Sequence, residues 1–430
     1  MGIWRGCTPG SLVAHAANLR KVLIAAAGVA VFVMTMVFAG PASSGGLFLL
    51  RASPAVPSED HQLPAGYRPL HKGGVDLGTG LYTRENEDLL VDGTPPLVLR
   101  RTYLSGYRVS REFGIGTTHT GEESVIGDVE RFQWAALVLA RGTRINFRRV
   151  SPGASVWNAV YVHDESATEW LGARLGWTGL SWALRKRDGS LATYQGCGGR
   201  RKNCAIIQDR DSHGHTVHYR RDRSGTLVRM ESGSDRWIAF ENDESGRVIR
   251  AHDSTNREAR YTYDARGRLA RATTSDGTVH RYGYTDADEL ATIEEPGTSI
   301  ENVYRDGRVV RQVNRFPDRE PYTFDFSYTV EGGRLVATGT RRSDGSWAHY
   351  TWDANARSSS EIIGQDGLEP AVFTYQRDPT TGGITALRLT CPDRQGLPLR
   401  HSSVVRDGNE EAVKQNLLQT HCFWNTWRKP

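Results

Sequence analysis

The sequence of 430 residues predicts an all-β protein built from antiparallel hairpins, after one N-terminal helix that is either a membrane anchor or a signal peptide. Three observations predict this fold. An aromatic–Asp–Gly–aliphatic unit recurs every 21 residues, dipeptides typical of tight turns separate short segments rich in Val, Thr and Tyr, and a long charge-free run lies near the N-terminus. Gly contributes 46 residues, which indicates many positions where the backbone must turn.

The N-terminal helix is predicted from residues 22–40, which carry no charge and are long enough to cross a bilayer. Arg20 and Lys21 directly precede this run, so the positive-inside rule leaves the N-terminus in the cytoplasm and exports the body. Small residues near the end of the run are compatible with a cleaved signal peptide, whereas its length favours an uncleaved anchor. Residues 1–42 thus form a cytoplasmic tail and anchor or signal peptide, and 43–70 a Pro/Ser-rich linker to a body at the cell envelope.

The charge balance argues against a nucleic-acid partner. Residues 1–58 contain four basic and no acidic side chains, so they supply most of the formal net charge of +5. The rest of the chain is near neutral with both signs interspersed, and it lacks the basic face that nucleic-acid binding requires.

Export changes how the cysteines are interpreted. Cys197 and Cys204 bracket a short Gly-rich segment, and in an oxidising compartment this spacing favours a local disulfide. Free thiols and a zinc site are the alternatives, but the spacing is not that of a usual zinc knuckle. Cys391 and Cys422 follow near the C-terminus, in surroundings that do not indicate a nucleophile.

The repeat is the strongest signal in the chain. The four regular units comprise Tyr219, Asp222, Gly225 and Leu227; Phe240, Asp243, Gly246 and Val248; Tyr261, Asp264, Gly267 and Leu269; and Tyr282 with Leu290, where Asp288 replaces the Gly. Turn-forming residues recur five positions before each aromatic residue, and they are Gly214, Asp235, Asn256 and Gly277. Looser copies continue at Tyr304, Tyr328, Tyr350 and Phe373. Such fixed spacing is typical of a repeat architecture.

Each unit is predicted to form a strand, a turn and a second strand. The Asp side chain can accept hydrogen bonds from the turn backbone, and the Gly supplies a residue with positive φ. The aromatic and aliphatic residues then lie on successive strands and pack on one face. Single hairpins are marginally stable, so neighbours must pair into one sheet, and its edge is expected to need a second copy or a partner strand. The repeated residues are therefore assigned a structural role.

No catalytic, cofactor or metal site is predicted. His213, His215 and His218 could form a metal cluster, but two of them flank the turn at Gly214, so we interpret them as part of an exposed hairpin. Adjacent acidic pairs such as Glu122 and Glu123 would point to opposite faces of a strand and cannot act as one acid–base pair. The only sustained helical pattern after the leader covers 409–419.

The unit from Tyr261 to Leu269, YTYDARGRL, resembles the YD repeat of Rhs-type proteins. Residues 75–81, then Asp88-Leu89 and the proline-led segment 95–103 ending in Arg-Thr-Tyr, resemble the domain that opens such proteins. Phe113-Gly-Ile-Gly stands where the family has a Trp after the second Gly, which is a departure. This resemblance divides the body into an opening β domain (71–205), a YD-repeat sheet (206–385) and a divergent C-terminal tail (386–430).

The resemblance implies a YD-repeat β-shell, which in Rhs proteins forms a cocoon around a C-terminal toxin. Here the repeats are fewer, the motif that ends the family's core is lacking, and the segment after the last repeat is short for an enzymatic toxin. The expectation is therefore an open or partial cocoon without cargo.

Two functional classes follow. The first is a non-enzymatic, envelope-exposed or secreted structural protein, a shortened shell linked to toxin encapsulation or contact-dependent competition, with a partner shell chain. The second is a carbohydrate-binding module that recognises a cell-surface glycan, suggested by 11 Trp and 16 Tyr residues. If residues 22–40 are not cleaved, the membrane is a further partner.

Overall fold

The computed structural model describes most of the chain after the linker. The described residues are 71, 73–128, 131–166, 168–196, 204–233, 235–392, 398–405 and 410–421. The predicted anchor or signal peptide at 22–40 and the linker at 43–70 lie outside them, and so does Cys197. Within the described ranges, no helix is both long and apolar enough to span a membrane.

Nearly all of the regular secondary structure in the described residues is β-strand, which confirms the predicted fold class. The first strands are β1 (Thr83–Val91), β2 (Leu97–Leu104), β3 (Ser110–Arg111), β4 (Gly114–Ile115), β5 (Thr117–His119), β6 (Ser124–Gly127), β7 (Trp134–Val138), β8 (Arg144–Arg149), β9 (Val160–Val162) and β10 (Arg174–Trp177). The next are β11 (Ser181–Arg185), β12 (Leu191–Gln195), β13 (Cys204–Arg210), β14 (Thr216–Arg221), β15 (Leu227–Ser232), β16 (Arg236–Asn242), β17 (Val248–Asp253), β18 (Glu258–Tyr263), β19 (Leu269–Thr273) and β20 (Val279–Tyr284). The last are β21 (Leu290–Glu295), β22 (Thr298–Arg305), β23 (Arg308–Phe316), β24 (Arg319–Glu331), β25 (Arg334–Arg342), β26 (Ser346–Trp352), β27 (Ser358–Gln365), β28 (Ala371–Arg377), β29 (Ile384–Pro392) and β30 (Pro398–Val404), followed by helix α1 (Glu410–His421).

One antiparallel sheet contains β6 to β30, and each strand pairs with its neighbours in the chain. The start of β13 also pairs with β6, where Cys204 lies opposite Val125, and this pairing closes the sheet. The second half of β13 pairs instead with β14. The closed part of the sheet therefore runs from β6 to β13, and the strands from β14 onward form the ladder of repeats. The predicted domain boundary at 205 thus falls inside β13.

A separate sheet of β1, β2 and β5 belongs to the residues before β6. We call residues 73–123 the opening segment. It packs against one face of the repeat sheet, where Leu89, Leu99 and Phe113 join a core that includes Leu227 and Val248. We call the contact between the opening segment and the repeats the seam. A second core lies along this seam and contains side chains from the start of the opening segment and from the later repeats.

The opposite face of the repeats is polar. Arg250 on β17 bonds to Glu241 on β16 and to Glu258 on β18, with both N–O distances at 2.6 Å. Similar cross-strand pairs continue along the ladder, for example Arg311 with Asp325 at 2.6 Å. This alternation of apolar and charged faces is the pattern of a sheet that is buried on one side.

The C-terminal region continues the sheet. Strands β29 and β30 extend the ladder past residue 385, where the sequence predicted that the repeat sheet ends. Helix α1 covers most of the predicted helical pattern at 409–419. Its Leu417 packs in a third core with Phe373 and Leu389, so the helix covers the inner side of the last strands.

Candidate functional site

The regular spacing of the repeat places its Asp at the turn of the hairpin in the first three units. Asp243 Oδ1 accepts hydrogen bonds from the backbone N–H groups of Ser245 and Arg247, both at 2.9 Å. Burial alone would raise the pKa of Asp243, but these bonds and the Arg247 guanidinium hold it below its ordinary value. Asp222 and Asp264 make the same turn contacts. The Asp series therefore ties turns together, as the sequence predicts.

The fourth position of each turn requires positive φ. It is Gly225, Gly246 and Gly267 in the first three units, with φ of 95°, 79° and 80°. In the fourth unit Asp288 takes the place of Gly and still adopts a φ of 64°. Asp tolerates the left-handed region better than most residues, which explains how this unit keeps the turn without glycine.

The aromatic and aliphatic residues of the units face the opening segment. The buried members are Tyr219, Leu227, Phe240, Val248, Tyr261, Leu269 and Leu290, and Tyr282 is partly buried against the same core. Each aromatic residue lies on the first strand of its hairpin and each aliphatic residue begins the second. This is the arrangement that the spacing predicted.

The start of each second strand leaves backbone groups that the sheet does not pair. Pairing of β17 with β18 begins only at Arg250, two residues after Val248, and the other repeats show the same offset. Buried N–H and C=O groups need partners, so the aliphatic residue of each unit requires them from elsewhere. The two kinds of partner come from different parts of the chain.

The opening segment binds the N–H groups. Glu112 receives two of them, with its Oε1 bonded to Leu227 N at 2.9 Å and its backbone oxygen to Val248 N at 2.7 Å. The Tyr103 hydroxyl accepts from Leu290 N at 2.9 Å. Further along, the backbone oxygen of Gly80 accepts from Val309 N at 2.9 Å. The opening segment thus binds the N–H group of the first, second and fourth regular units and of the looser copy at Val309.

From Val248 onward, a tyrosine of the next hairpin donates a hydrogen bond to the carbonyl group of the aliphatic residue in four consecutive units. The pairs are Tyr263 to Val248 O at 2.6 Å, Tyr284 to Leu269 O at 2.9 Å, Tyr304 to Leu290 O at 2.9 Å and Tyr328 to Val309 O at 2.6 Å. Sequence reasoning missed Tyr263 and Tyr284, although both stand in Tyr-x-Tyr doublets that mark them. Each such tyrosine links one unit to the unit before it.

Turn arginines cover these tyrosines. The Arg247 guanidinium bonds to Asp243 Oδ2 with its Nε at 2.8 Å and lies 4.7 Å from the centre of the Tyr263 ring. Arg268 repeats the arrangement with Asp264 and Tyr284. A cation over an aromatic ring is attractive, so turn and tyrosine stabilise each other across two units.

A buried ion pair anchors the opening segment at the third unit. Arg101 on β2 bonds to Asp88 on β1 through its Nε and, at 2.9 Å, through Nη2, and the Tyr261 hydroxyl donates to Asp88 Oδ2 at 2.7 Å. Burial would lower the pKa of Arg101, but the Asp88 carboxylate raises it well above its ordinary value. The Arg101 guanidinium therefore stays charged, and the Asp88 carboxylate balances its charge inside the seam.

A second polar cluster lies beside Glu112. Its Oε2 is 2.7 Å from Nε2 of the fully buried His119, whose Nδ1 accepts from Gly121 N at 3.2 Å. The Arg221 guanidinium lies 3.7 Å from Glu112 Oε1. Burial would raise the pKa of Glu112, but His119 and Arg221 lower it. A Glu–His pair can act as a base in enzymes, yet here His119 is fully buried and Glu112 Oε1 is bonded to the Leu227 N–H of the repeats.

Two cysteines of the described part are oxidised. Cys204 and Cys391 are each disulfide-bonded. They belong to different cores, so they are not bonded to each other, and their partners lie outside the described residues. The pairing of Cys204 with Cys197 stays a prediction. Cys391 is not available as a free nucleophile.

Comparisons with known proteins agree with the repeat and the opening segment. Residues 72–147 match the family model described as a domain of unknown function, DUF6531, and 243–279 match the RHS Repeat. No curated protein matches. Among solved structures, the crystal structure of TcdB2-TccC3-TEV has 13% identity and a TM-score of 0.35, covering 74% of this chain and 19% of that chain.

The Tc holotoxin pore of Photorhabdus luminescens has 10% identity and a TM-score of 0.28, covering 74% of this chain and 20% of that chain. This chain thus spans about a fifth of the length of these structures. The two family matches lie in the order that the sequence predicted, with the opening region first and the repeats after it. Residues 243–279 therefore carry the RHS Repeat, which supports the resemblance to Rhs-type YD-repeat proteins seen in the sequence.

Proposed function

We propose that this chain is a non-enzymatic, exported scaffold, a shortened Rhs-type shell that acts in toxin encapsulation or contact-dependent competition. The seam between the opening segment and the repeats carries this proposal. Its polar groups bond to one another and to the repeat backbone, as at Asp88, Arg101 and Glu112, so they stabilise the assembly rather than face a substrate. A partner shell chain at the sheet edge is the partner that this scaffold would take.

The oxidised cysteines support export. Disulfides form and persist in the periplasm, on the cell surface and outside the cell. Cys204 and Cys391 are both disulfide-bonded. Together with the charge-free run at 22–40, they favour a body at the cell envelope, with the membrane as a partner if the run is not cleaved.

A fusion assay tests the export. Alkaline phosphatase fused after Gln62 is active only outside the cytoplasm and is expected to be active, while a cytoplasmic fluorescent reporter at the same site is expected to be dark. The reverse pattern would contradict the proposal. A competition assay with deletion and complemented strains then tests the role, since a scaffold for competition must change the survival of neighbouring cells.

Carbohydrate binding is the second candidate, and one exposed aromatic pair favours it. Trp157 is 68% exposed, and its ring centre lies 6.5 Å from that of Trp177 in an edge-on contact. Leu180, three residues after Trp177 in the chain, is 87% exposed. Exposed tryptophan faces are suited to stacking on sugar rings.

A glycan array tests this candidate. If it is correct, Trp157→Ala abolishes binding to the glycan that the wild-type protein selects. Trp134→Ala is the matched control, because Trp134 is 41% exposed but the Arg144 guanidinium lies over its ring at 4.8 Å. No selected glycan, or equal loss in both variants, would exclude a sugar site at Trp157.

A further inference from the structure

The turn between β13 and β14 has the same backbone as the other repeat turns but different side chains. Asp211 Oδ1 accepts hydrogen bonds from the N–H groups of His213 and His215, both at 2.9 Å. Gly214 has a φ of 93°, as the glycines of the other turns do. The turn therefore holds the second and fourth residues after the Asp in fixed positions, and here both are histidines.

Other turns of the ladder carry no histidine at these positions. The equivalent pairs are Ser224 and Thr226, Ser245 and Arg247, Thr255 and Arg257, and Arg266 and Arg268. In the three of these pairs that have Arg at the fourth position, its Nε bonds to the second carboxylate oxygen of the turn Asp at 2.7–2.9 Å. In the first turn, Nδ1 of His215 takes that position, 2.8 Å from Asp211 Oδ2.

Three ligand-type atoms converge as a result. The carboxylate of Asp211 and one ring nitrogen each of His213 and His215 lie within 4.8 Å of one another. The two imidazole rings stack with their centres 6.1 Å apart. Both histidines are exposed, so their side chains can rotate without disturbing the core, and water can reach the remaining coordination positions.

We propose that this turn binds a divalent transition-metal ion, with zinc as its occupant, through Asp211, His213 and His215. Zinc is held by imidazole nitrogens at about 2.0–2.1 Å and by carboxylate oxygens at about 2.0–2.2 Å. Rotation of the exposed rings brings the three atoms to that separation. Calcium and magnesium prefer oxygen ligands alone and do not suit two imidazoles. The sequence favoured an exposed hairpin without metal, because spacing alone did not place the two rings side by side.

The position of the site gives the ion a structural role. β13 is the strand that pairs with both β6 and β14, so the turn stands where the closed part of the sheet passes into the ladder of repeats. An ion held across this turn would stabilise the first hairpin of the ladder. The other group of this kind in the described residues, Glu112 with His119 and Glu122, differs because Arg111 and Arg221 already engage its carboxylates.

Zinc titration of the full chain, without an affinity tag, tests the proposal. Isothermal calorimetry with zinc chloride is expected to show one site that the double variant His213→Ser, His215→Thr loses or weakens by at least about tenfold. This variant copies the turn at Asp222, so it keeps the backbone geometry. His218→Ala is the matched control outside the turn and is expected to leave the affinity unchanged.

A transplant keeps the test decisive if the double variant folds poorly. Ser224→His with Thr226→His places the same two ligands on the turn at Asp222 and is expected to add a second zinc equivalent. Wild-type protein that binds no zinc would overturn the proposal. So would a folded double variant that binds zinc as tightly as the wild type, or a folded transplant without the second equivalent.

Discussion

The ion pair between Asp88 and Arg101 offers the sharpest test of the seam. In Asp88→Ala, the Arg101 guanidinium loses two bonds and its counter-charge, and the Tyr261 hydroxyl loses its acceptor. The side chains of Asp88 and Arg101 are 0% and 3% exposed, so water cannot replace the carboxylate. Removing one partner of a buried pair costs about 3–5 kcal/mol, and we expect the free energy of unfolding to fall by that amount.

The neighbouring pair provides a matched control on the same two strands. Glu87 and Arg100 also form an ion pair, at 3.2 Å, but their side chains are 43% and 44% exposed. Exposed pairs contribute about 0–1 kcal/mol, so Glu87→Ala is expected to change stability little. Urea unfolding of the full chain, followed by tryptophan fluorescence, measures both variants. Equal effects of the two substitutions would refute the claim that the seam is a dry, anchoring contact.

Three further predictions concern the hydroxyl bond of Tyr263 to the preceding unit, the positive φ of Gly267 and the buried carboxyl group of Glu123. Tyr263→Phe keeps the ring under its arginine but leaves a buried carbonyl without its donor, so thermal melts should show a loss of about 1–3 kcal/mol. Gly267→Val should cost about 1–3 kcal/mol because φ is 80°, while Gly267→Asn should cost clearly less in the same melts. Burial raises the pKa of Glu123 from 4.5 to about 7, although the Tyr194 hydroxyl lowers it in part. Between these two pKa values the native state binds one more proton than the unfolded state, so the free energy of unfolding should fall as pH rises from 4.5 to 7. Glu123→Gln should flatten that slope and raise the free energy of unfolding by up to about 3 kcal/mol at pH 8. An unchanged slope would exclude Glu123 as its source.

The repeat allowed the hairpins to be predicted because its signal is periodic and chemical. Asp at the turn and Gly or Asp288 in the left-handed region are the residues that such turns require, and the structure places them there. The interlocking of units was not predicted. Tyr263 and Tyr284 act through hydroxyl bonds to carbonyl groups of the preceding unit, and a strand pattern alone does not reveal which tyrosine turns inward.

The seam could not be inferred from the sequence for a different reason. The N–H groups of Leu227, Val248 and Leu290 are backbone groups, and every residue except proline carries one. Asp88 and Tyr103 lie in segments that resemble the family's opening domain, yet nothing in their spacing points to partners in the repeats. Only the folded chain brings these acceptors to the strand starts that need them.

Residue-resolved hydrogen exchange at Leu290 tests most directly whether the opening segment completes the repeat sheet. The Leu290 amide donates to the Tyr103 hydroxyl, whereas the Val309 amide, at the equivalent position further along, donates to the backbone oxygen of Gly80. We expect both amides to exchange slowly in the wild-type chain, and Tyr103→Phe to accelerate exchange at Leu290 while Val309 stays protected. Rapid exchange at Leu290 in the wild type, or protection that Tyr103→Phe leaves unchanged, would contradict the account.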